Sequence, residues 1–320
     1  MATCITIDCG TSNTRIALVK NGEILKYKKF AIGAGKTAAS GSNTELMKTI
    51  KEGLDEIFAE TKRTEISGIY ASGMITSEFG LVTIDHVITP CGKEKLKANT
   101  QSHIFDDICD IPITFIPGVR NDFDKDDENA ILDADMMRGE ETEVFGLVSI
   151  MGIEGAVTVL LPGTHAKIIQ LDKMGRIEKC FTAMSGELFG AIKKDTILNN
   201  CITENIAKYD TEYLSLGFET AKKIGTNAAL FKTRLLKNFY KLTEDKLSAF
   251  IEGIILSSDI ELLGKLSNND KIIIGGCEPL KSSFEFLIKK YLKKEVICAT
   301  EEQVRNSTVV GAISILDINK

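Results

Sequence analysis

The sequence predicts an α/β protein of two domains, each a mixed sheet flanked by helices. At 320 residues the chain is longer than one hydrophobic core usually serves. Strand-like runs alternate with helix-like runs along the chain. Residues 7–24 and 160–177 align without a gap at a constant offset of 153, and seven of the eighteen positions are identical. Such an internal repeat indicates two similar halves, and we expect domains at residues 1–133 and 134–320.

Each predicted half opens with three strand-like segments that alternate in polarity and carry β-branched residues. In the first half these are residues 3–7, 15–19 and 23–30. The pair Asn21-Gly22 between the second and third segments is typical of a hairpin turn. In the second half the corresponding segments are residues 157–161, 167–171 and 177–182. The repeat therefore predicts two matched antiparallel units of three strands.

The remaining segments complete an α/β pattern. Further strands are predicted at residues 66–71, 271–274 and 296–299. Helices are predicted at residues 44–60, from about 185, through most of 195–243, and at 247–266, 280–290 and 301–316. The small residues of 33–43 predict a loop, and the acidic run Asp122–Glu128 predicts a solvated turn.

Composition excludes several classes of function. Hydrophobic residues make up 43% and charged residues 26% of the chain, as in ordinary globular proteins. The net charge of −6, without a long basic run, argues against nucleic acid or an anionic membrane as the partner. No apolar run approaches the ~20 residues of a membrane span. The eight cysteines are scattered without a C-x-x-C pair, which predicts reduced thiols and a cytoplasmic protein.

The repeated turn, Gly10-Thr11 in the first half and Gly163-Thr164 in the second, is the strongest candidate for a binding element. A tight turn between two strands can direct backbone N–H groups at one point, and such nests bind phosphate. Glycine lets the backbone approach a ligand closely. One such turn is weak evidence, whereas two in duplicated halves could hold one polyphosphate between them.

Polar residues accompany both turns. Asp8 ends the strand before the first turn, and a carboxylate there could hold the water shell of Mg²⁺. Arg15 and Lys167 are candidate charges on the strands that follow the turns. His165 could contact phosphate or simply cap its own loop. Asn13 completes the first turn.

Several motifs together resemble one family. "DCGTSNTR" and "LPGTHAK" are similar to the first and second phosphate loops of the actin/hexokinase/Hsp70 superfamily. With "MRGEET", "MSGELF" and "ASGMI", the chain resembles 2-keto-3-deoxy-galactonate kinases (2-dehydro-3-deoxygalactonokinases) over nearly its whole length. The resemblance implies a two-domain actin-like ATPase (ribonuclease H-like) fold with an interdomain cleft. It also implies phosphorylation of the 6-hydroxyl of 2-dehydro-3-deoxy-D-galactonate with MgATP, in galactonate catabolism.

The resemblance further implies that residues 1–133 form the sugar-acid side and residues 134–320 the nucleotide side. The expected partner is a small sugar acid, with neither nucleic acid nor membrane, and a homodimer is left open. Two alternatives remain at this point: a kinase of the same fold for another small sugar or hydroxyacid, and a nucleotide-binding regulatory ATPase.

Phosphoryl transfer to a hydroxyl needs a group that accepts the hydroxyl proton, and a carboxylate can do this. By comparison with related sugar kinases, Gly139-Glu140 supplies that base, with Glu141 as the alternative. Either glutamate could instead complement the dipole of a helix N-terminus. Arg138 could bind the sugar-acid carboxylate in bidentate fashion, and Arg120 competes for that role.

The other residues are assigned by resemblance. Gly186 and Glu187 of "SGELF" would begin a helix against the nucleotide, although a plain helix N-terminus explains them equally well. Gly275-Gly276 would lie near the adenine, where a side chain would block the base. Gly73 and Met74 of "ASGMI", together with Arg15, would lie on the substrate side.

Two departures from the family pattern concern substrate choice and packing. Related kinases often carry Arg or Gln shortly after G-M-I, whereas this chain has Glu78 and Phe79. They commonly have Trp after the second phosphate loop, where this chain has Ile168 and contains no Trp at all. The first departure bears on the identity of the sugar acid.

Overall fold

The structure is a computed structural model that describes residues 3–203, 206–266 and 271–318. Its contacts divide the chain into two compact units. Unit 1 comprises Met1–Gly155, Leu171–Cys180 and Glu302–Lys320, and unit 2 comprises Ala156–Gln170 and Phe181–Glu301. This division falls after the helix that begins at Glu140, and it returns the C-terminal segment to unit 1. The boundary at 133/134 stays a prediction from sequence.

The described residues form strands and helices that we number in chain order. The strands are β1 (Thr3–Cys9), β2 (Thr14–Lys20), β3 (Glu23–Phe30), β4 (Ile66–Gly73), β5 (Val87–Ile88), β6 (Gln101–Phe105), β7 (Cys109–Phe115), β8 (Val119–Arg120), β9 (Met136–Met137), β10 (Val157–Leu161), β11 (Ala166–Leu171), β12 (Ile177–Ala183), β13 (Lys271–Ile274) and β14 (Glu295–Cys298). The α-helices are α1 (Ala34–Ser40), α2 (Thr44–Phe58), α3 (Lys93–Ala98), α4 (Glu140–Ile150), α5 (Ser185–Asp195), α6 (Thr211–Ile224), α7 (Thr226–Asn238), α8 (Glu244–Leu266), α9 (Leu280–Leu287) and α10 (Glu301–Leu316).

Two mixed sheets share one strand order. The first runs β3-β2-β1-β4-β7-β6 and the second runs β12-β11-β10-β13-β14. In the first, β1 pairs antiparallel with β2 and parallel with β4. In the second, β10 pairs parallel with β13, and β13 with β14. The first five positions therefore correspond between the two sheets, which confirms the predicted α/β fold with its duplicated three-strand opening.

Helices cover the first sheet on both faces. On one face, α2 buries residues spaced three or four apart, as an amphipathic helix does; they are Leu46, Ile50, Leu54 and Ile57. On the other face, Val309 and Ile313 of α10 pack against Cys4, Ala17 and Val19 of the sheet. This packing fixes the carboxyl end of β1, where Asp8 lies.

In unit 2 the long helix α8 forms the centre of the packing. Leu256, Ile260 and Leu263 of α8 lie in one buried cluster with Ile272 and Ile274 of β13. The same helix also packs against α5 and α6. Fourteen of the 23 residues of α8 are therefore buried, including two carboxylates.

The structure corrects one sequence prediction. The small-residue segment 33–43 contains helix α1 rather than only a loop. A Cβ on Gly35 would lie 2.8 Å from the Thr11 carbonyl oxygen, so the small residues there allow close packing on the first turn. The amides of Ala34 and Gly35 donate to the carbonyls of Gly10 and Thr11 at 3.0 and 2.8 Å.

The thiols and the membrane prediction can also be compared with the structure. All eight cysteines are free, and six are buried, whereas Cys277 is exposed and Cys298 half-buried. Among the described residues, no helix combines the length and the apolar character that crossing a membrane requires.

Candidate active site

The first repeated turn joins β1 to β2 and is held from within. The Gly10 amide donates to the Asn13 carbonyl at 2.9 Å. Thr11 and Ser12 are exposed at the tip of the turn. Their N–H groups have no backbone acceptor within the part of the chain that the structure describes. Such outward amides can bind an anion.

An ion pair lies directly below this turn. Antiparallel pairing of β1 and β2 places Asp8 opposite Arg15. The Arg15 guanidinium donates to Asp8 Oδ2 at 2.7 Å, and the Asp8 side chain is 13% exposed. Burial raises the pKa of Asp8, and Arg15 opposes that rise. Arg15 is thus engaged with Asp8 rather than held apart for a substrate.

The start of α4 lies next to Asp8. A Cβ on Gly73, the residue that ends β4, would lie 3.4 Å from Asp8 Oδ1. A Cβ on Gly139 would lie 3.1 Å from the Gly73 Cα, and Gly139 has a φ of 109° that favours glycine. The glycines of "ASGMI" and "MRGEET" therefore let Asp8, β4 and α4 approach one another.

The two candidate bases of α4 differ in environment. Glu140 is half-buried, and its Oε2 accepts the Arg138 amide at 3.0 Å. Glu141 is fully buried, and its two carboxylate oxygens accept the Gly139 amide at 2.9 and 2.8 Å. Burial, and next the negative charge of Glu140, raises the pKa of Glu141 to about 8. Glu141 acts as a buried cap, while Glu140 keeps access to solvent.

A third carboxylate was not selected from the sequence. Glu143 follows Glu140 by three residues, so both lie on one face of α4. Burial, and next the charges of Asp8 and Glu140, raises the pKa of Glu143 to about 8, and Arg15 opposes this. The i, i+3 spacing in "EETE" was the available signal. The site thus groups three carboxylates, Asp8, Glu140 and Glu143, with one arginine, Arg15.

The two candidate carboxylate-binding arginines also differ. The Arg138 guanidinium donates to the backbone and hydroxyl oxygens of Thr76, both at 2.7 Å, and to the Ile84 carbonyl at 2.9 Å. It also contacts His86 Nδ1 at 3.2 Å. Burial, then the charges of Arg138 and Arg120, lowers the pKa of His86 to about 4, so this imidazole is neutral at pH 7.

Arg120 is less engaged than Arg138. Its guanidinium donates to the Asn121 carbonyl at 3.0 Å and stacks 5.0 Å from the centre of the Phe123 ring. Arg120 therefore makes fewer hydrogen bonds within the described residues than Arg138 does. Met74, proposed for the substrate side, packs against the buried core of unit 1.

In unit 2 the second repeated turn joins β10 to β11. Thr164 and His165 are exposed at its tip. The start of α5 packs on this turn: the Glu187 amide donates to the Thr164 carbonyl at 2.9 Å. A Cβ on Gly186 would lie 2.9 Å from the Thr164 Cα. His165 Nε2 contacts Glu187 Oε2 at 2.6 Å, so the helix start and the turn form one structure.

The other predicted residues of unit 2 surround the same turn. Gly276 has a φ of 71°, and a Cβ there would lie 2.7 Å from the Pro162 carbonyl oxygen. The Gly275 amide donates to the Leu160 carbonyl at 2.9 Å. Lys167 is buried, and its ammonium donates to Thr182 Oγ1 at 2.6 Å. Gly276 thus allows close packing beside the turn.

Each unit therefore gathers its own predicted residues. Unit 1 brings together Asp8, Gly10, Thr11, Asn13, Arg15, Gly73, Gly139, Glu140 and Glu141, with Arg120 and Arg138 beside His86. Unit 2 brings together Gly163, Thr164, His165, Gly186, Glu187, Gly275 and Gly276. The roles of these residues, and the joint hold of both turns on one polyphosphate, stay predictions.

Solved structures resemble this chain over almost its whole length. A crystal structure from Sinorhizobium meliloti, described as a 2-dehydro-3-deoxygalactonokinase protein, matches with a TM-score of 0.78 and 23% identity over 98% of this chain and 99% of that one. The Clostridium difficile activator of 2-hydroxyisocaproyl-CoA dehydratase, solved with bound ADPNP, matches with a TM-score of 0.53 and 13% identity over 99% and 94% of the chains. These similarities show that the chain shares its fold with these proteins.

Sequence comparisons identify the family. A Rhizobium meliloti (strain 1021) protein named probable 2-dehydro-3-deoxygalactonokinase DgoK1 is 29% identical over 199 residues. That match spans 62% of this chain and 58% of the relative, which is less than two thirds of the relative's length. The family model of 2-keto-3-deoxy-galactonokinase matches residues 8–310, from the carboxylate below the first turn almost to the end of α10. The chain therefore belongs to the 2-keto-3-deoxy-galactonokinase family.

Proposed function

We propose that this protein is an ATP-dependent kinase that phosphorylates the 6-hydroxyl of 2-dehydro-3-deoxy-D-galactonate, in galactonate catabolism. The observation that carries the proposal is the family match over residues 8–310, which includes both repeated turns and the start of α4. The carboxylates and arginines of unit 1 support it, because a sugar acid offers a hydroxyl to deprotonate and a carboxylate to bind.

ATP is the phosphoryl donor implied by family and fold. The residues present fit its phosphates: Thr11 and Ser12 in one unit, and Thr164 in the other, lie exposed at glycine turns. Backbone amides at such turns complement phosphate oxygens without the conformational cost of long side chains. The contacts between the start of α5 and the second turn hold that turn in place before a ligand binds.

The residues of unit 1 also fit a magnesium ion. Asp8, Glu140 and Glu143 outnumber Arg15, and a cation there would offset the burial and the mutual repulsion that together raise the pKa of Glu143. No group of three or more side chains in the described ranges is arranged as a complete metal site. Mg²⁺ is usually held by one or two carboxylates, waters and substrate phosphates. Asp8 would hold it, and the ion would neutralise charge that develops on the phosphates.

Glu140 is the base we propose for the acceptor hydroxyl. Its side chain is half-buried, and one oxygen already receives the Arg138 amide, which fixes the orientation of the other. Glu141 is suited to a different role, because both of its oxygens are committed to the Gly139 amide in a buried position. Glu140 thus accepts the hydroxyl proton, while Glu141 keeps the helix start in place.

Arg120 is the residue we propose to bind the sugar-acid carboxylate. Arg138 already directs its guanidinium to Thr76 and Ile84, and so it is committed to holding these two residues in place. His86, which contacts Arg138, is neutral and adds no third positive charge. A carboxylate beside Arg120 would gain a charge-assisted hydrogen bond.

The composition of the chain bears on its cellular compartment and on the class of its partner. We infer that the protein is cytoplasmic, because all eight cysteines are free and reduced thiols are typical of that compartment. The partner of the reaction is a small molecule rather than nucleic acid, because the net charge is −6.

ADP release with a panel of acceptors tests the proposal. The panel contains 2-dehydro-3-deoxy-D-galactonate, other 2-keto-3-deoxy acids and plain hexoses, each with MgATP. We expect the galactonate derivative to give the highest kcat/KM. Highest activity with a hexose would indicate a different sugar kinase, and acceptor-independent ADP release would indicate a regulatory ATPase.

A further inference from the structure

Helix α8 carries two buried carboxylates that the proposed reaction does not use. Glu252 is 1% exposed and Asp259 is 5% exposed. They are seven residues apart, which is about two helical turns, so they lie on one face of the helix. Buried carboxylates are costly unless they are paired or hydrogen-bonded. Each therefore needs a reason to be retained.

Asp259 has a defined partner at the start of α5. The Ser185 hydroxyl donates to Asp259 Oδ2, and both side chains are buried. Ser185 is the first residue of α5, and the preceding Met184 provides no side-chain cap. A carboxylate at this end of α5 also complements the helix dipole. Although burial raises the pKa of Asp259 to about 6, the carboxylate is mostly ionised at pH 7.

The residues that follow Ser185 hold the second repeated turn. Gly186 packs against the Gly163 carbonyl and the Thr164 Cα. The Glu187 amide bonds the Thr164 carbonyl, and the Glu187 carboxylate contacts His165. The first turn of α5 is therefore bound on one side to α8 through Asp259, and on its other side to the turn proposed to bind phosphate.

We propose that Asp259 is a positioning residue that anchors the start of α5 and thereby holds the Gly163–His165 turn ready for the phosphates of ATP. The inference rests on the proposed function for its ligand, but the anchor itself is a property of the free protein. Asp259 touches no substrate. It acts through Ser185, Gly186 and Glu187.

Glu252 is the matched control position for Asp259. It lies on the same helix and is equally buried, yet its Oε1 atom has no hydrogen-bond partner among the described residues. Besides burial, its charge raises the pKa of Tyr209, and the charge of Asp259 in turn raises the pKa of Glu252. A substitution at Glu252 therefore changes a buried carboxylate of α8 and leaves the hydrogen bond between Asp259 and Ser185 in place.

The experiment compares four variants with the wild-type chain: Asp259→Ala, Asp259→Asn, Ser185→Ala and Glu252→Gln. Hydrogen exchange of the α5 amides is measured without ligand, and MgATP binding is measured by calorimetry. Asp259→Ala should speed exchange at residues 186–188 and raise the Kd for ATP about tenfold or more, as expected for loss of a hydrogen bond to a charged group. Ser185→Ala should act in the same direction.

The conservative and control variants sharpen the test. Asn at position 259 can still accept the Ser185 hydroxyl, so we expect Asp259→Asn to restore most of the ATP affinity. Glu252→Gln should leave both α5 exchange and the Kd for ATP unchanged. In steady-state assays, Asp259→Ala should raise the KM for ATP while the KM for the sugar acid stays within about threefold, since only the turn is displaced.

Unchanged α5 exchange in both Asp259→Ala and Ser185→Ala would overturn the anchor. If Asp259→Ala does not fold, Ser185→Ala decides the question alone. Faster exchange with an unchanged Kd for ATP would overturn the link between the anchor and the phosphate turn. A wild-type chain that binds no ATP would instead contradict the proposed function. Hydrogen exchange of the α5 amides would still test the anchor, because it is measured without ligand.

Discussion

Replacement of Glu140 by Gln tests the proposed base directly. The change keeps the size of the side chain and an oxygen that can accept the Arg138 amide, now 3.0 Å from Glu140 Oε2. It removes the negative charge and the ability to accept a proton. The local geometry at the start of α4 should therefore persist.

The expected magnitudes follow from this environment. A general base contributes about 10²–10⁴-fold to the rate, which corresponds to about 2.7–5.5 kcal/mol of transition-state stabilisation. We expect kcat to fall by about that factor. Loss of a carboxylate near a helix N-terminus costs about 0.3–1 kcal/mol of stability, so the melting temperature should change little. ATP affinity should stay within a few-fold, because the phosphates are assigned to the repeated turns.

Glu141→Gln is the control at the adjacent position. With its pKa raised to about 8, Glu141 already holds a proton at pH 7, and the amide resembles that form. One Gln oxygen can still accept the Gly139 amide. We therefore expect kcat within a few-fold of the wild-type value. The assay is steady-state ADP release with saturating MgATP and sugar acid, together with thermal melts of each variant.

Three outcomes would refute parts of this reasoning. Near-normal kcat in Glu140→Gln with a large loss in Glu141→Gln would mean that the base is the next residue. A large loss of stability in Glu140→Gln would mean that its role is structural. If neither variant loses activity, the hydroxyl proton passes directly to the phosphoryl oxygens.

Three further predictions concern packing, pH and substrate binding. Gly146→Ala should lower the free energy of unfolding by about 1–3 kcal/mol, because the new Cβ would meet the Ser307 backbone on α10. Gly190→Ala is the control and should not lower it, because the space around Gly190 is open. Equal urea midpoints for the two variants would contradict this packing. Burial raises the pKa of Glu252 from 4.5 to about 8. The wild-type protein therefore loses free energy of unfolding as pH rises between those values, because the folded state resists ionisation of this carboxyl. Glu252→Gln should therefore gain melting temperature over the wild-type chain increasingly across that range, and a pH-independent margin would count against it. Arg120→Ala should raise the KM for the sugar acid about tenfold or more with the KM for ATP unchanged, as expected for a lost charge-assisted contact; equal increases in both would remove Arg120 from the acceptor site.

The architecture could be predicted because the chain repeats itself. Residues 7–24 and 160–177 share two glycines and three apolar residues at matching positions, and the two sheets share the order of their first five strands. Gly139 of "MRGEET" and Gly73 of "ASGMI" approach each other next to Asp8, so two of the motifs that carry the family resemblance lie at one place. Local patterns were enough here because each motif ends a strand or begins a helix.

Other features depend on tertiary contacts that no local pattern encodes. The small residues of 33–43 resembled a loop, but contacts with Gly10 and Thr11 favour helix α1 there. The sequence made Arg138 a candidate to bind the substrate carboxylate, whereas in the structure its guanidinium donates to Thr76 and Ile84. Asp259 lies 74 residues from its partner Ser185, so the sequence alone could not pair them.

Identification of the product is the most direct test of the central claim. The wild-type chain is incubated with MgATP and 2-dehydro-3-deoxy-D-galactonate, and the product is examined by ¹H–³¹P correlation NMR. We expect one new phosphate monoester whose phosphorus couples to the protons on C6, formed in step with ADP. Phosphate on another carbon, or ADP accompanied only by inorganic phosphate, would contradict the assignment of this protein as a 6-kinase of that sugar acid.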